Sequence, residues 1–199
     1  MELRPIDTVQ LALTAFDNRL ENAIANVTVA RGPGIFPGVG FVSGAGFYRV
    51  RQNLDAVRAR GVEADAALRL GEWRLQASYA FTDAEVRGSG LAAGLNGLRP
   101  AQTPRHSAST TLAWSRDRIR AAATLRYVGR QFEDDQNSRA LDDALTVDAV
   151  LAVPLGARLS LEARLENLTD TQVQAAISAD GVIERATPRT FWVGVRLGG

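Results

Sequence analysis

Apolar and polar residues alternate one for one along most of this chain. Trp73, Leu75, Ala77, Tyr79 and Phe81 share one parity, and Arg74, Gln76, Ser78, Ala80 and Thr82 take the other. Just upstream, Val62, Ala64, Ala66, Leu68 and Leu70 oppose Glu63, Asp65, Ala67 and Arg69. The same period runs through Ile119 to Tyr127, Leu145 to Val153, Leu159 to Leu165 and Phe191 to Leu197, and more weakly through His106 to Trp114. Successive side chains of a strand point to opposite faces, so a period of two predicts strands with one apolar face. A helix would need spacings of three and four, which these segments lack. About eight strands are predicted, near 8–30, 46–70, 73–86, 105–115, 119–133, 144–153, 158–173 and 189–197. The gaps between them alternate in length. Gly71-Glu72, Arg116-Asp117-Arg118 and Pro154 to Ala157 are short, whereas Arg31 to Gly46, Arg87 to Pro104, Glu133 to Asp143 and Gln174 to Pro188 are long. In an antiparallel meander this alternation gathers the short turns at one end and the long loops at the other. The expected fold class is all-β.

Periodicity alone leaves open which face meets which solvent. A soluble sandwich or barrel turns its apolar face inward. A transmembrane β-barrel turns it to lipid and combines short turns on one side of the membrane with long loops on the other. Three features favour the membrane. Trp73 and Trp114 lie on the apolar face beside short turns, where an interfacial aromatic girdle would sit. Tyr79, Phe81 and Tyr127 lie on that face nearer the long loops. The stretch from Phe47 to Leu70 is also far longer than the usual soluble strand. On this reading Leu68, Leu75, Leu125, Leu151, Leu161 and Val195 point outward, and Glu63, Arg74, Arg126, Glu162 and Arg196 point to the concave side.

Composition adds limits. The 199 residues are 46% hydrophobic and 23% charged, with a mean hydropathy of −0.08, which suits a β-barrel as well as a globular domain. No apolar run is long enough for a transmembrane helix. Net charge is +1 and the basic residues are scattered arginines, which excludes an electrostatic case for nucleic acid. Without cysteine there are no disulfides or thiolate metal sites. Met1-Glu2-Leu3-Arg4-Pro5 carries no export signal, so the chain is expected to be part of a longer protein.

Candidate chemistry is sparse. His106 is the single histidine, and no acid partner surrounds it in sequence, so a structural role is expected over a ligand or base. A serine triad has no second histidine to draw on. Glu133-Asp134-Asp135, Asn137 and Asp142-Asp143 form an acidic stretch whose spacing matches no calcium loop; a solvated loop is expected. The glycines of 32–46 lack the Lys-Ser/Thr of a phosphate loop and read as a mobile surface loop, as do Arg87 to Gly90 and Gly94 to Gly97. Glu63, Asp65, Arg69, Arg74, Arg120, Arg126, Asp148, Glu162, Arg164, Glu166 and Arg196 are the charged residues of the polar faces, and most are expected to pair structurally. No catalytic, cofactor-binding or metal-binding residue is predicted, and no ligand contact is assigned.

Five motifs then point to a family. Asn53-Leu54-Asp55 with Ala59-Arg60-Gly61-Val62-Glu63-Ala64-Asp65 resembles the "N…A-R-G-V-E" strand of TonB-dependent outer-membrane receptors. Tyr79 to Ala84 resembles the strand that follows, and Pro100 to His106 the "P-x-x-P-x-H" segment after it. Glu166-Asn167-Leu168-Thr169-Asp170 is similar to the late "N-L-x-D" motif, and Pro188 to Leu197 to the closing strand. The order and spacing cover nearly the whole chain. The resemblance implies that residues 1–199 are one C-terminal β-barrel segment of such a receptor, without the plug domain and the earlier strands of a barrel of about 22. It implies a non-enzymatic protein of the bacterial outer membrane, in contact with its lipid, that takes part in uptake of a nutrient chelate of the ferric siderophore or cobalamin class. Chelate and TonB would be partners of the full-length receptor only, and no cofactor is implied. The closing strand departs from the family in ending Leu197-Gly198-Gly199 and not on an aromatic residue. Strands taken from a much wider barrel have gentler curvature and a different stagger, so an open curved sheet with unpaired first and last strands, or a strained closure with a poorly packed interior, is expected. The alternatives are a complete eight-stranded outer-membrane barrel with a structural or adhesion role, and a soluble β-barrel or sandwich carrying a small apolar ligand.

Overall fold

The computed structural model describes residues 1–197. Strands β1 (Glu2–Ile6) and β2 (Val9–Glu21) lead into an excursion built from β3 (Ile24–Arg31), β4 (Gly34–Phe36), β5 (Gly40–Val42) and β6 (Phe47–Asn53). The chain returns through β7 (Ala56–Leu70) and β8 (Trp73–Arg87), then a 3-10 turn at Gly90–Leu95. Strands β9 (His106–Arg116) and β10 (Ile119–Val128) follow, with a small hairpin of β11 (Gln131–Phe132) and β12 (Ala140–Leu141). The last part comprises β13 (Ala144–Pro154), β14 (Leu159–Glu166), the hairpin β15 (Gln174–Ile177) and β16 (Ile183–Arg185), and β17 (Thr190–Leu197).

One nine-stranded sheet runs β1-β2-β7-β8-β9-β10-β13-β14-β17, and every neighbour pair in it is antiparallel. This is the predicted meander, with all short turns at one end and all long connections at the other. Its edges are β1 and β17, which do not pair, so the sheet is open. Gly198 and Gly199, on which the closing-strand departure partly rests, lie outside the described residues.

Several predicted boundaries need correction. The stretch 8–30 is two strands, because Asn22 takes a left-handed φ of 56° and ends β2 at Glu21. Beyond it β3 leaves the sheet and pairs with β6. The stretch 46–70 divides likewise, and 119–133 and 158–173 stop early at Val128 and Glu166. The ninth strand, β1, is a five-residue edge strand containing Pro5, too short for its alternation to register. The glycine segment at 32–46 is itself paired, with Gly34 opposite Val42 and Phe36 opposite Gly40. A Cβ at Gly32 would lie 2.0 Å from the Ser43 carbonyl oxygen, so only glycine fits that crossing.

Register places like with like. One row across the sheet reads Leu11, Ala66, Ala77, Thr110, Leu125, Val147. Its counterpart on the other face reads Ala12, Asp65, Ser78, Ser109, Arg126, Thr146. The sheet is a single layer whose apolar face is uncovered: Leu13 is 51% exposed, Leu151 44% and Val195 63%. A hollow of about 410 Å³ opens on the polar face, lined among others by Asp65, Gln76, Ser78, Ser109 and Thr111. The polar face is therefore the concave one, and the leucines point outward as expected. An apolar face of this extent marks a surface suited to an apolar neighbour. Trp73 and Trp114 face each other with ring centroids 6.3 Å apart at the short-turn end, and Tyr79, Phe81 and His106 cluster towards the other. Trp73 to Phe81 covers roughly 27 Å of strand, or about 20 Å of membrane normal at a tilt near 40°. Lipid-facing bands of such barrels are about 25 Å tall.

Above Phe81 the polarity of the sheet inverts. The outward rows become Asp17-Arg60-Asp83 and Arg19-Arg58-Glu85. Arg58 pairs with Asp17 at 2.5 Å, and Arg60 and Arg105 both reach Asp83, at 3.7 and 3.1 Å. On the inner side of the same rows Val86 is buried with Val27, Leu54, Ala92 and Leu95. The outward side of β7 and β8 is thus apolar along one stretch and charged along the next.

Candidate functional site

The polar face holds the charges predicted for it, but pairing is confined to one side. Arg126 is bonded to Asp148, and Arg196 and Arg164 approach Glu162 at 2.8 and 3.8 Å. Among the described residues Glu63, Asp65, Arg69, Arg74, Arg120 and Glu166 make no ion pair. These groups line the open concave side of a single layer, where water solvates them at little cost.

The long connections form a second tier across the end of the sheet. The first connection (22–55) packs Val27 and Leu54 against Ala92 and Leu95 of the second (88–105). The Ser89 hydroxyl donates to Asp55 at 2.9 Å across the same junction. The third connection (129–143) joins all the others. The Thr28 N–H donates to Asp135 at 2.7 Å, and Gln136 donates to the Thr28 carbonyl at 3.1 Å. Asn137 exchanges two 2.9 Å hydrogen bonds with the backbone of Arg99. Gln174 of the fourth connection (167–189) accepts from the Asp142 N–H and donates to the Asp142 carboxylate, at 3.1 and 3.0 Å. The expected free surface loops are thus cross-linked, and 90–95 forms a helical turn that buries Ala92 and Leu95.

The acidic stretch is the hub of this tier. Asp134, buried, accepts from the Ser138 hydroxyl at 2.6 Å and from the N–H groups of Ser138 and Arg139 at 2.9 and 2.8 Å. Burial opposes its ionisation, but the Ser138 hydroxyl, the two N–H donors and the Arg139 charge outweigh it and hold the carboxyl below the ordinary carboxylate range. A lowered folded value means that this stabilisation is complete above about pH 4 and is lost as pH falls through the lowered value. Asp134→Ala should cost about 1–3 kcal/mol by orphaning these donors. Hydrogen exchange at the amides of 135–141 should then accelerate at neutral pH, and wild type should show the same loss only in acid. Unchanged exchange in the variant would remove Asp134 as the anchor.

His106 sits on the apolar side at the upper aromatic cluster, its Nδ1 2.8 Å from the Tyr79 hydroxyl. Among the described residues its ring bonds to no carboxylate, and no group of three His, Cys, Asp or Glu could hold a metal ion.

One cluster escapes sequence reading. Phe47, at the far end of the β3–β6 pair where the chain continues into β4 and β5, is ringed by three guanidinium groups: Arg31 at 5.5 Å, Arg49 at 5.4 Å and Arg139 at 5.2 Å from the ring centroid. Arg31 is directly opposite Phe47 in the register, and Arg49 follows two residues later on the same face. Arg139 arrives from the third connection. Assigning 8–30 to one strand hid the hairpin and therefore its face. The available signal was that 24–53 contains Arg31, Arg49 and Arg51 and no carboxylate.

Residues 1–168 match the family described as TonB dependent receptor-like, beta-barrel. The sequence matches no curated protein. Among solved structures, the chain is similar to the siderophore receptor PiuA from Acinetobacter baumannii, with 16% identity and a TM-score of 0.71 over 96% of this chain and 26% of that one. The ferric-catecholate import receptor Fiu from E. coli K12, in its closed form, gives 19% and 0.70 over 98% and 26%. The ferric citrate transporter FecA, unliganded, gives 16% and 0.71 over 96% and 29%. The chain spans about a quarter of the length of these structures.

Proposed function

Because the chain belongs to the TonB-dependent receptor-like β-barrel family, whose members are outer-membrane transporters and not enzymes, we propose that it forms the C-terminal wall and outer loops of a receptor that takes up a metal chelate. The observation that carries this reading is the division of one sheet into an exposed apolar band, a polar concave face and a tier of interlocked loops at a single end. The edges at β1 and β17 suit continuation into further strands, since an exposed edge carries unpaired donors and acceptors. The solved relatives handle ferric catecholate, ferric citrate, siderophores and copper, which favours a chelated metal as cargo. TonB would supply the energy through parts of the receptor beyond these strands.

The test is accumulation of labelled chelate by cells producing the receptor, with and without functional TonB. Uptake should require TonB and should fall at least tenfold when 24–53 is replaced by a two-residue turn, because the hairpin anchors the loop tier. A monodisperse, heat-modifiable closed barrel formed by this chain alone, with no effect on uptake, would instead establish the small structural barrel.

A further inference from the structure

We infer that the outward arginines above the apolar band, Arg19, Arg58, Arg60 and Arg105, dock the phosphorylated headgroups of lipids in the leaflet at the loop end of the sheet. This rests on the outer-membrane reading above and adds a lipid class to it.

Height is the first argument. On the outward side the apolar band ends with the row Ala15-Val62-Phe81, and the next two rows are Asp17-Arg60-Asp83 and Arg19-Arg58-Glu85. Successive rows on one face are two residues apart, about 7 Å along a strand, or about 5 Å of membrane normal at a tilt near 40°. The charged rows therefore stand roughly 5 and 10 Å above Phe81. A headgroup layer is about 5–7 Å deep on each side of the hydrocarbon core. The first row lies within that layer and the second at its outer margin. Arg105, just before β9, reaches the same side through Asp83. By contrast, β10 and β13 end their outward rows on Tyr127 and Leu145, so the charged belt is a local feature of the tall strands.

The belt's chemistry suits phosphate. Arg60 and Arg105 share the single carboxylate of Asp83, at 3.7 and 3.1 Å. Arg105 spends one nitrogen on it, and Arg60 only approaches it. Arg19 stands directly opposite Arg58 in the register, with Glu21 as its own partner at 3.1 Å. All four arginine side chains are exposed. Exposed pairs of this kind are worth little in water, so they aim the guanidiniums without exhausting their five donors. A phosphate monoester takes paired, directional contacts from such forks. The interspersed carboxylates leave the belt little net field with which to gather soluble anions. A phosphate is held there when its acyl chains also lie on the exposed apolar residues below, Leu13, Val62 and Tyr79. The two requirements together select a phosphorylated amphiphile over free phosphate and over a neutral lipid.

The experiment is native mass spectrometry of the receptor released from detergent micelles, titrated with bisphosphorylated lipid A, the same lipid stripped of its phosphates, and inorganic phosphate. Wild type should prefer the bisphosphorylated lipid roughly tenfold, and raised salt should narrow that preference. Arg60→Gln and Arg105→Gln should each raise its Kd roughly fivefold, and Arg60→Lys should keep part of the affinity. Arg116→Gln, on the same outward side but at the short-turn end beside Glu72, should leave Kd unchanged. Equal binding of the stripped lipid, or wild-type affinity in folded Arg60→Gln/Arg105→Gln, would overturn the belt while leaving chelate uptake intact. Inorganic phosphate bound as tightly as the lipid would overturn it too. A receptor that retains neither lipid would sink the lipid-facing band along with the belt. If the double variant fails to fold, Arg105→Gln alone decides, because Arg105 precedes β9.

Discussion

Leu125→Arg should destabilise the membrane-inserted sheet by about 2–4 kcal/mol, the cost of a cation on the lipid face at the bilayer midplane. Leu125 is 39% exposed and lies opposite Thr110 on one side and Val147 on the other. Its row continues through Ala77, midway between the Trp73 and Phe81 levels. Leu151 shares a row with Trp73 and Trp114, nearer the short turns, so Leu151→Arg should cost less, because an arginine there can extend to the interface. Ala122→Arg, three residues before Leu125 on the same strand but on the concave face, should cost under about 1 kcal/mol. The measurement is denaturant unfolding from lipid vesicles. Equal costs for the Leu125 and Ala122 variants would mean that the two faces see the same medium, and the lipid assignment would fall.

Gly61→Ala should cost about 1–3 kcal/mol, a large effect for one methyl group. The reason is a close approach inside the sheet. A Cβ on Gly61 would stand 1.9 Å from the Phe81 carbonyl oxygen and 2.8 Å from the Phe16 ring. Phe16 pairs with Gly61 in the register, and its ring fills the space left by the missing side chain. Truncating Phe16 would relieve the ring contact but not the carbonyl one. Gly61→Ala/Phe16→Ala should therefore remain less stable than Phe16→Ala alone. If the double variant regains the stability of Phe16→Ala, the strand-to-strand approach is not the constraint.

Most of the wall was legible because each strand meets two different media, and the medium writes the parity of the side chains. Leu75, Leu112 and Trp114 declared their face without reference to any neighbour. The upper rows were harder. At Asp83 and Arg60 both faces change solvent, so alternation persists while its meaning reverses, and a periodic reading cannot tell where. Asn22 was invisible for another reason: a single left-handed residue redirects a chain whose parity continues undisturbed into Ile24. The acidic stretch looked like a solvated loop because composition does not reveal that Asp134 folds back on Ser138 and Arg139. The Phe47 cluster needs Arg139 brought across from a segment nearly a hundred residues away, which only the packed tier supplies.

Strand length also varies around the wall. It is 15 residues in β7 and β8 and 8 in β14 and β17. At about 3.4 Å per residue, the taller ribs overtop the shorter by roughly 24 Å along the strand. The hairpin bearing Phe47 is moored to the tall ribs, whose inner side is packed, so it inherits the stiffness of a continuous hydrogen-bonded lattice. The 167–189 segment springs from the low ribs and has no such mast behind it. The rim is thus a lectern and not a collar: one side stands on tall, packed ribs, and the other is held only by its bonds to the neighbouring connection.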